Sequence, residues 1–236
     1  MDSFNISKYI EHTNLNLDAE MGDIKSLCDE AVKYNFSGVC VRPENVFSAW
    51  CFLGKSGVNV VSVIGFPKEK SGNHHNFGST STLEKISEIE ESLTCGANEI
   101  DFVMNVGKFK DEFNKPEQNL SYVFEEIQSA VLAVRNAGRD IIFKLIIETG
   151  FLSDEEIKTA CEIAELSGCD YVKTSTGYGI RGASLEDIKI MKSSCDLKIK
   201  AAGGIKNYFD AKKFIEAGAE KIGTSSGVKI INDALE

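Results

Sequence analysis

Residues 170–179 read DYVKTSTGYG, a short strand pattern that runs into a turn rich in hydroxyl groups and glycine. Strand side chains alternate between two faces, so Tyr171, Lys173 and Ser175 share one face of this segment. If that face lines the interior of a barrel, Lys173 is buried. Buried lysines are rare unless they are paired or functional, and lysine is the residue that forms Schiff bases. The segment therefore predicts a strand that carries a candidate nucleophile to the start of a loop.

Seven other β-like segments accompany this one, and each of the eight is followed by a helical pattern or a long connection, as repeated βα units require. They cover residues 9–15, 38–42, 58–66, 99–106, 141–148, 170–175, 198–202 and 221–224. Parallel strands joined by right-handed crossovers need cover on both faces. We therefore predict an α/β fold, a closed (β/α)8 TIM barrel that forms a single domain over residues 1–236. A doubly wound open sheet would give a similar order of elements.

Helical periodicity occurs between these segments. Three amphipathic patterns are formed by Ile24, Leu27, Cys28 and Ala31; by Leu83, Ile86, Ile89 and Leu93; and by Val123, Ile127, Ala130, Val131 and Val134. Ser153 and Ser184 each precede an acidic residue by three positions, which is the spacing of a capping box. These two serines are therefore predicted to begin helices.

The composition limits the classes of partner. The chain has 236 residues, 42% hydrophobic and 26% charged, which suits a domain with a large core. Its formal net charge of −10 opposes a general attraction to nucleic acid or to an anionic membrane surface. Residues 1–8 lack the basic-then-apolar pattern of a signal peptide, and the longest apolar run, 58–66, is interrupted by polar residues and glycine. We expect a cytoplasmic protein with no nucleic-acid or membrane partner.

No metal site is predicted. Seven cysteines are spread along the chain without a C-x-x-C pair, and only three histidines occur, so there is no recognisable zinc-ligand spacing. His74 and His75 are adjacent and therefore point in different directions. They lie in the polar stretch 68–79 after the third predicted strand. We interpret this stretch as a solvated, mobile loop on the catalytic side of the barrel.

Two glycine-rich loops indicate an anion site. In a TIM barrel, active-site groups gather at the C-terminal ends of the strands, and phosphate binds at the loops after strands seven and eight. The chain reads KAAGGI at 200–205 and GTSSG at 223–227. Glycine permits close backbone approach, and exposed amides at a helix start attract anions. Each loop alone is more often an ordinary turn, but together, at these two positions, they favour a phosphate-bearing substrate.

A second lysine accompanies Lys173. Lys200 lies on the seventh predicted strand at the same depth, and neighbouring strands are about 4.8 Å apart, so the two ammonium groups could approach within roughly 5 Å. Their repulsion is then about 3 kcal/mol at an effective dielectric of about 20, which favours a free amine on one of them. The alternative is that one lysine turns outward or pairs with a carboxylate.

Charged residues also occur on the fourth and fifth predicted strands. On the fourth, Asp101, Val103 and Asn105 share a face. Asp101 could be a counter-ion for a lysine or a proton shuttle to the reacting carbon. On the fifth, Lys144 and Glu148 share a face, and we interpret them mainly as a charge network that supports the site.

These motifs, in this order, resemble those of the 2-deoxyribose-5-phosphate aldolase family. The resemblance runs from about residue 9 to residue 227 and is carried by KTSTG at 173–177, KAAGGI at 200–205, EID at 99–101 and IGTSS at 222–226, with EHT at 11–13, VCV at 39–41, GFP at 65–67 and IET at 147–149. It implies a class I aldolase, without metal or other cofactor, that reversibly cleaves 2-deoxy-D-ribose 5-phosphate into D-glyceraldehyde 3-phosphate and acetaldehyde. Deoxyribonucleoside catabolism is the implied role.

The resemblance also implies roles for single residues. Lys173 would form the Schiff base, Lys200 would favour its free-amine form, and Asp101 would help to move protons. Thr13 and Cys40 would lie near the substrate. The phosphate would be held by Gly177, Gly203, Gly204, Gly223, Ser225 and Ser226. The implied partners are the sugar phosphate and acetaldehyde, together with a second copy of the chain in a homodimer.

Three features depart from the family pattern. Glu11 stands where aspartate is usual, so its contact is expected to be longer or indirect. The loop after Pro67 is longer than usual, and residues 233–236 lack the terminal tyrosine of some members. Two rival functions stay open: a sugar-phosphate aldolase with a different donor, and a catalytically silent barrel that senses sugar phosphate. Retention of both lysines and of Asp101 argues against the sensor.

Overall fold

Eight parallel strands close into a barrel in chain order. The computed structural model describes residues 5–138 and 140–235, so residues 1–4 and Glu236 of the terminal patterns lie outside the described residues. The strands are β1 (Ile10–Thr13), β2 (Gly38–Val41), β3 (Asn59–Ile64), β4 (Glu99–Val103), β5 (Ile142–Ile146), β6 (Tyr171–Lys173), β7 (Lys198–Ala202) and β8 (Lys221–Thr224). Because β8 pairs with β1, the open sheet is excluded and the (β/α)8 prediction is confirmed.

Helices surround the barrel. Over the described ranges they are α1 (Met21–Lys33), α2 (Val46–Leu53), α3 (Thr82–Thr94), α4 (Val106–Phe113), α5 (Ser121–Arg135), α6 (Asp154–Leu166), α7 (Leu185–Ser194), α8 (Tyr208–Glu216) and α9 (Gly227–Asp233). The two predicted capping boxes are confirmed, because the side chains of Ser153 and Ser184 accept hydrogen bonds from the amides of Glu156 and Asp187.

The predicted strands run past the observed ends, except for β7 and β8. The structure shortens 9–15, 38–42, 58–66, 99–106, 141–148 and 170–175 to the bounds given above. β4 ends at Val103 because the side chain of Asn105 turns to cap α4 and accepts the amide of Lys108 at 3.1 Å. β5 ends at Ile146 because Glu148 adopts a left-handed backbone, with φ of 55°. The freed residues form the loops that hold the site.

The apolar face of α3 differs from the predicted face. Leu83 is 79% exposed, whereas Lys85 and Ser92 are fully buried beside Ile89. The Lys85 ammonium donates to Glu126 at 2.8 Å and to the carbonyl of Val103 at 3.0 Å. The buried face of α3 therefore contains an ion pair, whereas the helical pattern predicted apolar side chains there. The predicted faces of α1 and α5 are confirmed.

The main hydrophobic core lies between the strands and the helices, as expected for a barrel covered on its outer face. A second, smaller hydrophobic cluster, separate from this core, consists of Leu15, Cys40, Val61 and Val63. Within residues 5–138 and 140–235, no helix is long and apolar enough to cross a membrane. In the same ranges, no group of three or more His, Cys, Asp or Glu side chains is arranged to hold a metal ion.

Candidate active site

Seven charged side chains meet inside the barrel. They come from β1, β4, β5, β6, β7 and β8, and all seven residues are buried. Four are lysines and three are carboxylates, so the cluster carries one positive charge in excess when every member is ionised. The members are Lys144, Lys173, Lys200, Lys221, Glu11, Glu99 and Asp101.

Asp101 lies at the centre of this cluster. Its Oδ2 accepts hydrogen bonds from Lys173 and Lys200, each at 2.6 Å, and its Oδ1 accepts one from Lys144 at 2.9 Å. The ammonium nitrogens of Lys173 and Lys200 therefore lie within about 5 Å of each other. Burial would raise the pKa of Asp101, but the three lysines outweigh it and hold that pKa well below its usual range. Both lysines thus face inward and share one ionised carboxylate.

Glu11 joins the cluster directly. Its carboxylate contacts the Lys200 ammonium and lies 2.7 Å from Lys221 and 3.4 Å from Lys144. The expectation of a longer or indirect contact is therefore wrong, because the extra methylene of glutamate lets the carboxylate reach across the barrel. Burial would raise the pKa of Glu11, but Lys144, Lys200 and Lys221 hold it well below its usual range.

The sequence reasoning missed Glu99 and Lys221 as members. The Lys221 ammonium lies 2.5 Å from Glu99, which also contacts Lys144 at 2.5 Å. The alternation of side chains along a strand could have indicated both residues. Lys221 is the register partner of Lys200, and Glu99 lies two residues before Asp101 on the same face of β4. The four lysines and three carboxylates therefore form one continuous network.

A cavity of about 680 Å³ opens at the C-terminal ends of the strands, and Lys173 lines it. Six predicted substrate contacts line it too: Thr13, Gly177, Gly203, Gly204, Gly223 and Ser225. Two do not. Cys40 is fully buried on β2, and burial raises the pKa of its thiol to about 11. The amide of Ser226 donates to the hydroxyl of Thr224 at 2.9 Å, so it is engaged within its own loop.

Glycine geometry shapes the anion-facing wall. Gly203 and Gly204 have φ of 91° and 80°, which side chains rarely adopt. The backbone of Gly203 also lies very close to Gly182: a Cβ on Gly182 would be 2.0 Å from the carbonyl oxygen of Gly203. The turn at Gly203 and Gly204 therefore presents bare backbone to the cavity, as a phosphate site requires.

Charged side chains missed by the sequence reasoning also line the cavity: Lys70, Lys206, Asp23 and Glu30. Lys206 lies two residues after Gly204 of the glycine-rich turn, so its position could have been predicted from the sequence. Lys70 belongs to the loop interpreted as solvated. His12, another lining residue, lies 2.7 Å from Glu30 through its Nε2.

Comparison with known proteins agrees with this geometry. A family model described as "DeoC/LacD family aldolase" matches residues 6–233. The chain belongs to this family. A curated deoxyribose-phosphate aldolase from Aciduliprofundum boonei is 45% identical over 233 residues, covering 98% of this chain and 97% of the relative. The deoxyribose-phosphate aldolase from Thermococcus kodakarensis is 42% identical over 238 residues, covering 99% of each chain.

Solved structures extend the DeoC/LacD likeness. One described as QR15, an aldolase, is 35% identical, has a TM-score of 0.86 and covers 99% of this chain and 97% of its own. The deoxyribose phosphate aldolase from Aeropyrum pernix, described as tetrameric, is 26% identical, has a TM-score of 0.84 and covers 98% and 91%. This DeoC/LacD chain is therefore an aldolase, and so a carbon–carbon lyase.

Glu148 departs from its expected place in this DeoC/LacD aldolase. Its carboxylate is fully buried and accepts the amide of Thr176 at 2.8 Å, whereas Lys144 lies in the barrel network, so the two do not form one charge network as predicted. Its Oε1 has no hydrogen-bond partner among the described residues. Burial raises the pKa of Glu148 to about 7, although hydrogen bonds from Thr176 and the charge of Lys173 lower it in part.

A pH-dependent stability follows for Glu148. Since the folded state binds this proton more tightly than the unfolded state, the free energy of unfolding falls as pH rises from about 4.5 through about 7. Glu148→Gln removes the titration, so the wild type should lose up to about 3 kcal/mol more than the variant between pH 4.5 and 8. Urea unfolding of both proteins at the two pH values measures this difference. Parallel pH dependence would show that Glu148 does not titrate as described.

Proposed function

We propose that the protein reversibly cleaves 2-deoxy-D-ribose 5-phosphate to D-glyceraldehyde 3-phosphate and acetaldehyde, through a Schiff base on Lys173. The names of the relatives support this substrate, and the lysine cluster supports this mechanism. We also propose that it acts in the cytoplasm, in deoxyribonucleoside catabolism, and assembles from copies of itself. The Aeropyrum pernix relative is described as tetrameric, which supports self-association, whereas the sequence-based expectation was a homodimer.

The charge balance of the cluster carries the proposal. Lys144 contacts three carboxylates, and Lys200 and Lys221 contact two each. Among the described residues, Lys173 contacts only one carboxylate, Asp101, which also contacts Lys144 and Lys200. Three carboxylates balance the other three ammonium groups, so Lys173 is the lysine whose conversion to an imine breaks the fewest ion pairs. A neutral amine is the nucleophilic form, and Lys173 is the member of the four-lysine cluster that lines the cavity.

The first half of the reaction builds the imine. The Lys173 amine attacks the C1 aldehyde of the open-chain sugar, and the resulting carbinolamine loses water to give a protonated imine. Asp101 lies 2.6 Å from the Lys173 nitrogen, where it can accept and return the protons of these steps. Lys200, hydrogen-bonded to the same carboxylate oxygen, keeps Asp101 ionised between transfers.

The second half breaks the C2–C3 bond. The C3 hydroxyl loses its proton, the C2–C3 electron pair moves to the imine carbon–nitrogen system, and D-glyceraldehyde 3-phosphate leaves. The enamine that remains on Lys173 takes up a proton at C2, and water hydrolyses the imine to acetaldehyde and free amine.

The phosphate would lie at the β7 and β8 loops. Ser225 is exposed at this wall, so Ser225→Asp places a negative charge beside the phosphate without disturbing the core. We expect KM for deoxyribose 5-phosphate to rise at least about tenfold, and the slow cleavage of unphosphorylated 2-deoxyribose to change little. Steady-state kinetics with both sugars tests this prediction.

The same assay tests the proposed function. The wild-type enzyme should release acetaldehyde and D-glyceraldehyde 3-phosphate from deoxyribose 5-phosphate. Absence of both products would reject the proposed reaction. Equal losses of Ser225→Asp on the two sugars would point instead to a distorted barrel end and reject the phosphate position.

A further inference from the structure

The long segment 68–77, in the connection between β3 and α3, packs against other loops of the barrel at both of its ends. Phe77 is fully buried, and its ring lies 5.0 Å from that of Phe151 on the β5–α6 connection. Its carbonyl accepts the amide of Val106 at 3.2 Å. The next residue, Gly78, has φ of 62°, and a Cβ there would meet the carbonyl oxygen of Met104 at 2.2 Å. The interpretation as a solvated loop is therefore wrong for this end of the segment.

The other end of the segment is attached to the turn that follows Lys173. The amide of Ser71 donates to the carbonyl of Tyr178 at 3.0 Å. The Tyr178 hydroxyl donates to the carbonyl of Leu15 at 3.1 Å, and its ring packs edge-on against Phe66 at 5.0 Å. Tyr178 is thus held from two sides, and it fixes the backbone of Ser71 beside the cavity.

This attachment places Lys70 on the cavity wall. Lys70 forms no ion pair with a carboxylate anywhere in the described part of the chain. The turn that holds Ser71 lies beside the glycine-rich turn after β7, since β6 pairs with β7 and a Cβ on Gly177 would lie 3.6 Å from the Cα of Gly203. Lys70 is therefore a lysine without an ion pair on the wall of the cavity that also contains the glycine-rich turn.

The surroundings make a cation at this position useful. The chain carries a net charge of −10, and Asp23 and Glu30 line the same cavity, so Lys70 and Lys206 on its wall offset negative charge that would oppose a phosphate. We propose that Lys70 is a specificity-determining residue that contacts the substrate phosphate from the side of the turn that follows β6. This rests on the proposed function, since it assigns the segment 68–77 a role in recognising the phosphate of that substrate.

The test compares two lysines of the same segment. Lys70→Met removes the charge and keeps much of the length, Lys70→Arg keeps the charge, and Lys68→Met is the matched control because Lys68 is exposed and does not line the cavity. We expect Lys70→Met to raise KM for deoxyribose 5-phosphate about three- to tenfold with little change in kcat, since an exposed contact to phosphate contributes modestly. Lys70→Arg and Lys68→Met should stay near the wild type, and cleavage of unphosphorylated 2-deoxyribose should be unaffected.

Calorimetric binding of inorganic phosphate separates this inference from the proposed reaction. Lys70→Met should weaken phosphate binding by a similar factor, and Lys68→Met should not, whether or not the wild type cleaves deoxyribose phosphate. Absence of cleavage by the wild type would reject the proposed function alone. If Lys70→Met and Lys68→Met bind phosphate equally, or if Lys70→Met slows both sugars alike, Lys70 does not recognise the phosphate.

Discussion

Lys173→Met is expected to lower kcat/KM for deoxyribose 5-phosphate by about 10⁴-fold or more, because the covalent intermediate cannot form without the amine. Methionine fills much of the lysine volume, so the barrel should stay closed. The side chain lines the cavity and is 3% exposed, and its removal leaves three lysines against three carboxylates. The loss should therefore come from chemistry and not from unfolding, which circular dichroism of the variant would check.

Chemical trapping tests the same assignment directly. Borohydride added with acetaldehyde should reduce the imine and add about 28 Da to the wild-type peptide that contains Lys173. Lys173→Met should take up no label. Lys198→Met is the matched control, because Lys198 is on the neighbouring strand β7, is exposed and lies outside the network. Its labelling should equal that of the wild type, and a label on Lys144 or Lys200 would assign the nucleophile elsewhere.

Much of the fold was readable from the sequence because a (β/α)8 barrel repeats one local pattern. β7 and β8 match their predicted bounds, since each ends at a glycine-rich or small-residue turn that breaks the pattern sharply. β5 does not, because the residues up to Glu148 remain apolar or strand-like while the backbone has already turned. The buried face of α3 was mispredicted for another reason. Lys85 is a charged residue that the pattern assigns to the surface, and it is buried because it forms an ion pair with Glu126.

The candidate site, like the fold, could be predicted from the sequence only in part. The approach of Lys173 to Lys200 follows from strand parity and adjacency, which are local properties. The contact of Glu11 with Lys200 and Lys221 depends on closure, because β1 and β8 are far apart in the chain and meet only when the ring is complete. The position of Lys70 depends on one backbone hydrogen bond between two loops, for which the sequence has no periodic signal.

Lys200→Met is expected to reduce activity about 100-fold near neutral pH. Burial would lower the pKa of Lys200, but the carboxylates of Asp101 and Glu11 outweigh it and raise that pKa above its usual value, so Lys200 is a permanent cation in the wild type. Without it, the network holds three carboxylates and three lysines. Asp101 then keeps only Lys144 and Lys173 as ion-pair partners among the described residues, so Lys173 is held in that ion pair and is less available to attack the aldehyde.

The pH profile decides whether this charge balance is the main role of Lys200. If it is, the Schiff-base formation rate of the variant, measured from pH 6 to 10, should recover part of the loss on the alkaline side, where amines are more readily free to attack. If Lys200 instead transfers a proton itself, the rate should stay low at every pH at which the protein is folded. The wild-type pH profile is the reference, because Lys144, Lys200 and Lys221 balance the three carboxylates in the wild type. A flat profile for Lys200→Met would therefore reject the charge-balance account and leave direct proton transfer as the function of Lys200.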